Sequence, residues 1–192
     1  RRKGGHSLDK LKVLVVDDSV VYRRIITSAV QMTGKGEVDS IASSGITALE
    51  RLEQRYIDVV LLDVFMEGLD GIETLKRIKK KYPHVAVIMI SGGGEDSAQI
   101  TVKALEIGAM DFILKPSTGN SERNIKTISR QLGILFSQIL VDKYTKKSRL
   151  TGVDAVSGIA DNEIIRQAAS RGQADPLHRS SIERNVKAVT AF

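Results

Sequence analysis

The sequence predicts an α/β fold: a three-layer (βα)5 domain with a parallel five-stranded sheet between two helical layers, followed by a long C-terminal helix. Three observations predict it. Five short apolar runs, rich in β-branched residues, recur between residues 11 and 114 and end in polar residues. Segments with helical apolar spacing separate them. The first run, Leu11 to Val16, is nearly continuous in apolar residues rather than alternating, which suits a strand buried on both faces. Crossovers of this length imply parallel strands and right-handed connections.

The elements follow in order. Leu11 to Val16 is a strand closed by Asp17-Asp18-Ser19, and Ser19 can cap a helix carried inward by Val21, Ile25, Ile26 and Ala29. Val38 to Ala42 is a weaker strand, and Gly45 to Arg55 a helix buried through Ala48, Leu49 and Leu52. Ile57 to Leu62 is a third strand, closed by Asp63. A helix runs from Gly71 to about Lys81 with Ile72, Leu75 and Ile78 inward, and Pro83 ends it. Val85 to Ile90 is a fourth strand, closed by Ser91 and three glycines. Asp96 to Ile107 is helical, and Ala109 to Leu114 is the fifth strand, closed by Lys115-Pro116.

Glu122 to about Lys143 reads as one long helix with a stripe of Ile125, Ile128, Leu132, Leu135, Phe136, Ile139 and Leu140. The stripe is longer than one layer of a small domain needs. Its later part is expected to project, or to pack on a partner or a second copy, which would make 121–150 a homodimer surface. Residues 1–10 are expected to be a flexible lead, 11–120 the domain core, 121–150 the fifth helix with its extension and linker, and 151–192 a polar tail with at most short helices.

Composition narrows the function. The chain has 192 residues, no cysteine and three histidines, which excludes disulfide scaffolds, thiolate metal sites and cysteine nucleophiles. No apolar run is long enough to span a membrane and no basic-then-apolar leader is seen, so a cytoplasmic location is expected. The net charge of +6 is unevenly held. Residues 11–120 carry 13 Lys/Arg against 15 Asp/Glu, whereas residues 121–150 carry 7 against 2. The body is slightly acidic, the reverse of a nucleic-acid-binding domain.

Strands of such a sheet point their C-terminal ends at one edge, where ligands of open α/β folds bind. Asp17, Asp18, Asp63, Ser91 and Lys115 all fall there. Converging carboxylates repel unless a cation compensates, and an all-oxygen set suits Mg²⁺. One carboxylate, Asp63, can then attack a phosphoryl group whose charge the metal, a lysine and a hydroxyl stabilise.

These landmarks resemble the receiver domain of two-component response regulators: Asp17-Asp18, Asp63 followed by Met66 and Asp70-Gly71, Ser91, and Lys115-Pro116, in order over residues 11 to about 120. The resemblance implies a flavodoxin-like fold with strand order 2-1-3-4-5. It implies that Asp63 accepts a phosphoryl group from a sensor histidine kinase. Asp18, Asp63 and the Phe65 carbonyl would bind Mg²⁺, with Asp17 acting through water, and Ser91 and Lys115 would contact the phosphoryl oxygens. Ser91 and Phe112 would be the switch positions, and Gly71, Gly92 and Pro116 belong to the surrounding loops.

Two departures stand out. Glu67 replaces a customary proline, removing a φ restraint and adding a negative charge. Phe112 lacks a hydroxyl, so switching there must work by burial. Gly92 to Gly94 read as a mobile loop, since no Gly-Lys-Ser/Thr follows. Gly71 reads as the residue that permits the tight turn into the third helix.

The stretches Leu14 to Arg24 and Ala98 to Pro116 are most similar to the receiver of the chemotaxis methylesterase. That family continues into an esterase domain with a serine in a Gly-rich turn. No such turn follows residue 120 here, so the expected content is the regulatory half and its linker, controlling an attached or separate output. The alternatives are a stand-alone chemotaxis-type receiver that binds a target protein, a DNA-binding regulator, and a non-phosphorylated adaptor. The neutral 151–192 segment argues against DNA, and the intact Asp18, Asp63 and Lys115 argue against the adaptor.

Overall fold

The computed structural model describes residues 10–93, 97–117 and 119–151. Ten elements alternate: β1 Leu11–Val16, α1 Val20–Thr33, β2 Gly36–Ala42, α2 Gly45–Gln54, β3 Val59–Asp63, α3 Gly71–Lys81, β4 Ala86–Ser91, α4 Ser97–Ile107, β5 Asp111–Leu114 and α5 Ser121–Thr151. All strand pairs are parallel, in the order β2-β1-β3-β4-β5. The expected flavodoxin-like arrangement is therefore observed. The expectations for the lead and for residues 152–192 fall outside the described residues.

Alternation along each strand divides the core in two. Val13, Val15, Val59, Leu61, Ile88, Ile90 and Ile113 face α1 and α5. Leu14, Val16, Val60, Leu62, Val87 and Met89 face α2, α3 and α4. The inner strands β1, β3 and β4 are covered on both faces and so are apolar at nearly every position, whereas the edge strands β2 and β5 keep exposed residues.

Element ends differ from expectation by a few residues. Asp63 and Ser91 are the last residues of their strands rather than the first of the following loops. Ile57 is buried but precedes β3. On α1, Val21 is exposed and Val30 takes its expected place in the core.

The larger correction concerns α5. Leu135, Phe136 and Leu140 do not project; they are buried in the core shared with α1, and Ile139 and Tyr144 pack against it. A 31-residue helix spans roughly 46 Å, and this one runs antiparallel to strands only four to seven residues long. Phe136 fits because Gly36 opens β2: a Cβ there would lie 2.7 Å from the ring. Lys35 fixes the same junction by donating from Nζ to Gly133 O (2.9 Å) and Ser137 Oγ (2.6 Å). Further along, Lys143 Nζ donates to Asp58 Oδ1 at 2.8 Å. The stripe is long because α1, the start of β2 and the lower edge of β3 all need covering.

Candidate functional site

Register places the polar residues. Val16 of β1 is opposite Leu62 of β3, so Asp17 and Asp63 emerge side by side. Ser91 of β4 is opposite Leu114 of β5, so Lys115 follows directly, and its N–H donates to Ser91 O at 2.7 Å. The five polar positions thus share the C-terminal edge, beside the point where the strand order reverses.

Three carboxylates meet there. Asp17, Asp18 and Asp63 each offer an oxygen within 4.8 Å of the others'. Asp17 and Asp63 are buried and Asp18 is exposed. Lys115 Nζ lies 2.7 Å from Asp63 Oδ2 and 2.8 Å from Asp17 Oδ2. Among the described residues, the Lys115 ion pair is the one polar contact of the buried Asp17 Oδ2. Burial pushes the Asp63 carboxyl above its ordinary range, the Lys115 pairing pulls it down, and the Asp17 charge pushes it up again; the net direction is up. Burial alone would lower the Lys115 ammonium, but pairing with both carboxylates outweighs it and raises it.

One lysine cannot neutralise three carboxylates. The cluster offers hard oxygen donors, two carboxylates sharing one ammonium and one exposed member open to solvent. That donor set fits Mg²⁺, which keeps waters and takes few protein carboxylates.

Loops hold these groups by local hydrogen bonds. Asp17 Oδ1 accepts from Ser19 N–H at 2.8 Å, and Ser19 in turn caps α1. Asp63 Oδ1 accepts a long hydrogen bond (3.4 Å) from Phe65 N–H, and the Phe65 side chain is exposed. The β3–α3 loop turns at Gly68, whose φ is 79°. The role expected of Gly71 is corrected by this. Its φ is not left-handed; it is glycine because a Cβ would lie 2.1 Å from Asp63 O. Helix α3 is thereby seated directly on the backbone of Asp63.

The remaining expected residues are more dispersed. Ser91 is buried and its hydroxyl donates to Gly92 O at 3.1 Å. Phe112 packs half-buried on the side of the sheet facing α2 to α4. Glu67 is exposed. Pro116 O accepts from the Tyr22 hydroxyl at 3.3 Å.

Two residues at the site were not singled out as functional from sequence. Arg23 Nη1 donates to the carbonyls of Asp17 (2.6 Å) and Asp18 (2.9 Å), pinning the β1–α1 loop. Tyr22 places its ring 4.6 Å from Lys115 Nζ. The available signal was their position: three and four residues after the N-cap Ser19, in the first helical turn, facing back toward the site.

The chain matches the family described as the response regulator receiver domain over residues 13–127. The protein-glutamate methylesterase/protein-glutamine glutaminase of Trichodesmium erythraeum is 42% identical over 126 residues, covering 65% of this chain and 36% of that protein. The response regulator domain of Thermotoga maritima CheB matches with a TM-score of 0.61 at 36% identity, covering 69% of this chain and 97% of that one. A chain of the CheX-CheY-BeF3-Mg complex of Borrelia burgdorferi gives 0.53 at 29% identity, covering 64% and 89%. The chain spans about a third of the length of the curated relatives it matches.

Proposed function

The chain belongs to the response regulator receiver family and is a phosphorylation switch related to CheB-type receivers, and we propose that Asp63 is its phosphoacceptor. The observation that carries this is the meeting of a buried Asp63 with Lys115, Asp17 and Asp18 at one sheet edge. An Asp63 oxygen attacks phosphorus of a phosphohistidine on a sensor kinase. The new O–P bond forms as the P–N bond breaks, and its electron pair leaves on the imidazole nitrogen. Lys115 moves from the carboxylates to a phosphoryl oxygen, and Ser91 turns its hydroxyl from Gly92 O to another. Asp18, Asp63 and the Phe65 carbonyl, with Asp17 through water, would hold Mg²⁺, which supplies charge neutralisation on the phosphoryl oxygens.

Ser91 is proposed to relay the change to Phe112, whose half-buried ring moves deeper when the Ser91–Gly92 loop shifts. Glu67 tunes the loop beside the site without ligating anything. The output is proposed to be a methylesterase-type domain, attached or separate. The activity in the relatives' names belongs to proteins of which only the receiver part is matched. No helix among the described residues is long and apolar enough to cross a membrane.

The test is mass analysis after treatment with acetyl phosphate and Mg²⁺. One phosphoryl increment is expected on the wild type, none on Asp63→Asn, and none with chelator. Undiminished labelling of Asp63→Asn overturns the assignment. Asp18→Ala is expected to weaken Mg²⁺ binding, and an unchanged titration contradicts its role.

A further inference from the structure

Lys115 is the only ammonium at the carboxylate cluster among the described residues, and it carries three donor directions. Two meet Asp17 and Asp63. A further neighbour is the Tyr22 ring, 4.6 Å from Nζ to the ring centroid. The same side chain reaches the backbone beside the lysine, since its hydroxyl donates to Pro116 O at 3.3 Å. Tyr22 is itself fixed. Its N–H bonds the Ser19 cap at 3.4 Å, Ser19 N–H bonds Asp17 Oδ1, and its ring packs on the core between the sheet and α1. One side chain thus holds both the head of Lys115, by its ring face, and the chain that carries it, by its hydroxyl.

We propose that Tyr22 is a positioning residue for Lys115, whose ring keeps the ammonium at the site while it passes from the carboxylates to the incoming phosphoryl group. The passage needs such a holder. When Asp63 gives its oxygens to a metal and a phosphorus atom, Lys115 loses the pairings that now fix it. A lysine on a four-carbon stem would otherwise scatter among rotamers and rehydrate. The ring's negative face attracts the ammonium without forming a directional bond, so it permits the swing and disfavours escape. A leucine of similar bulk could fill the space but offers no such face. Tyr22 touches neither the reacting atoms nor the metal ligands' oxygens; it acts through Lys115.

This inference rests on the reading of Asp63 as phosphoacceptor, and the test separates the two. The first measurement needs no phosphate chemistry. The Lys115 ε-methylene protons should be shifted upfield by the ring in the wild type and in Tyr22→Phe, and not in Tyr22→Leu. Absence of that shift in the wild type overturns the contact itself. The second is the rate of acetyl-phosphate labelling across Tyr22→Phe and its mono-, di- and trifluorinated phenylalanine analogues, which fill the same space with progressively weaker ring faces. Tyr22→Phe is expected to stay within about threefold of wild type, and full fluorination or Tyr22→Leu to lose about five- to tenfold. A stepwise fall with fluorine count supports positioning by the ring. Equal rates across the fluorinated series overturn it, because a packing role would not follow the ring's charge. Labelling that persists in Asp63→Asn would instead sink the phosphoacceptor reading and leave the ring-current result standing.

Discussion

Strand β3 is flanked by two buried carboxylates, and the structure treats them in opposite ways. Asp58, just before the strand, is completely satisfied. Its Oδ2 accepts from Lys12 N–H at 2.9 Å and its Oδ1 from Lys143 Nζ at 2.8 Å. Asp63, the last residue of the strand, shares a single lysine with Asp17 and lies beside Asp18. Asp58 ties β1 and α5 to the lower edge with a separate donor at each oxygen. Asp63 is held in a surplus of negative charge that the proposed metal ion would neutralise. Asp63 also has a partner at each oxygen, but one is a long bond from Phe65 N–H (3.4 Å) and the other a lysine shared with Asp17; a carboxylate in competition for its partner is a candidate for chemistry.

Exchanging the two ends breaks or confirms the comparison most directly. Asp58→Asn is expected to retain acetyl-phosphate labelling within about twofold, since the sites are at opposite edges of the sheet, while Asp63→Asn retains none. Comparable loss in both variants would erase the distinction.

The next largest effect is expected at Gly71. A Cβ there would lie 2.1 Å from Asp63 O and 2.7 Å from Val64 Cα, both backbone atoms that cannot step aside. Gly71→Ala should cost about 3 kcal/mol and slow labelling as α3 is pushed off the site. An unchanged urea midpoint would show that α3 is not seated there as tightly as the geometry requires.

Stability sharpens the contrast further, with opposite signs. Asp58→Ala should destabilise by about 2 kcal/mol, because it strands the Lys12 amide and Lys143. Without Mg²⁺, Asp63→Asn should stabilise by about 1 kcal/mol, because it relieves like-charge crowding. Chemical denaturation of the two variants side by side checks both signs; equal destabilisation would contradict the functional surplus of charge at Asp63.

The smallest effect concerns pH. Burial lowers the Lys143 ammonium, but its pairing with Asp58 outweighs this and raises it above the ordinary lysine value of 10.5. A lysine raised in the folded state adds stability that is fully present below its unfolded value and fades as pH rises through the folded one. About a third of the side chain is exposed, so solvent screening keeps this below about 1 kcal/mol. The stability gap between wild type and Lys143→Met should therefore be constant up to about pH 10 and shrink beyond it. A gap that stays unchanged well above about pH 11 would show that the lysine's charge is not its source.

The contrast between the two carboxylates was half legible from sequence. Asp63 stood out because four other polar landmarks fall at strand ends in the same register. Asp58 did not, because nothing local marks it: its partners are 46 and 85 residues away. Tyr22 was hidden for the same reason, since a first-turn helical residue reads as an ordinary surface position until the end of β5 brings Lys115 beside it. The long stripe of α5 was read as a surface in search of a partner; the length of a helix's apolar face says how much it covers, not whose core it covers.

The sequence by itself determined the alternation of strands and helices, the burial of the inner strands on both faces and the set of residues at the working edge. These follow from periodicity and from the polar ends of apolar runs, which are local properties. Only the tertiary structure decided that α5 completes the domain's own core, that Gly71 serves close approach rather than a turn, and that one lysine must answer two buried carboxylates with a tyrosine ring behind it. Those are distances set by packing, and packing is where the pattern along a chain stops carrying the answer.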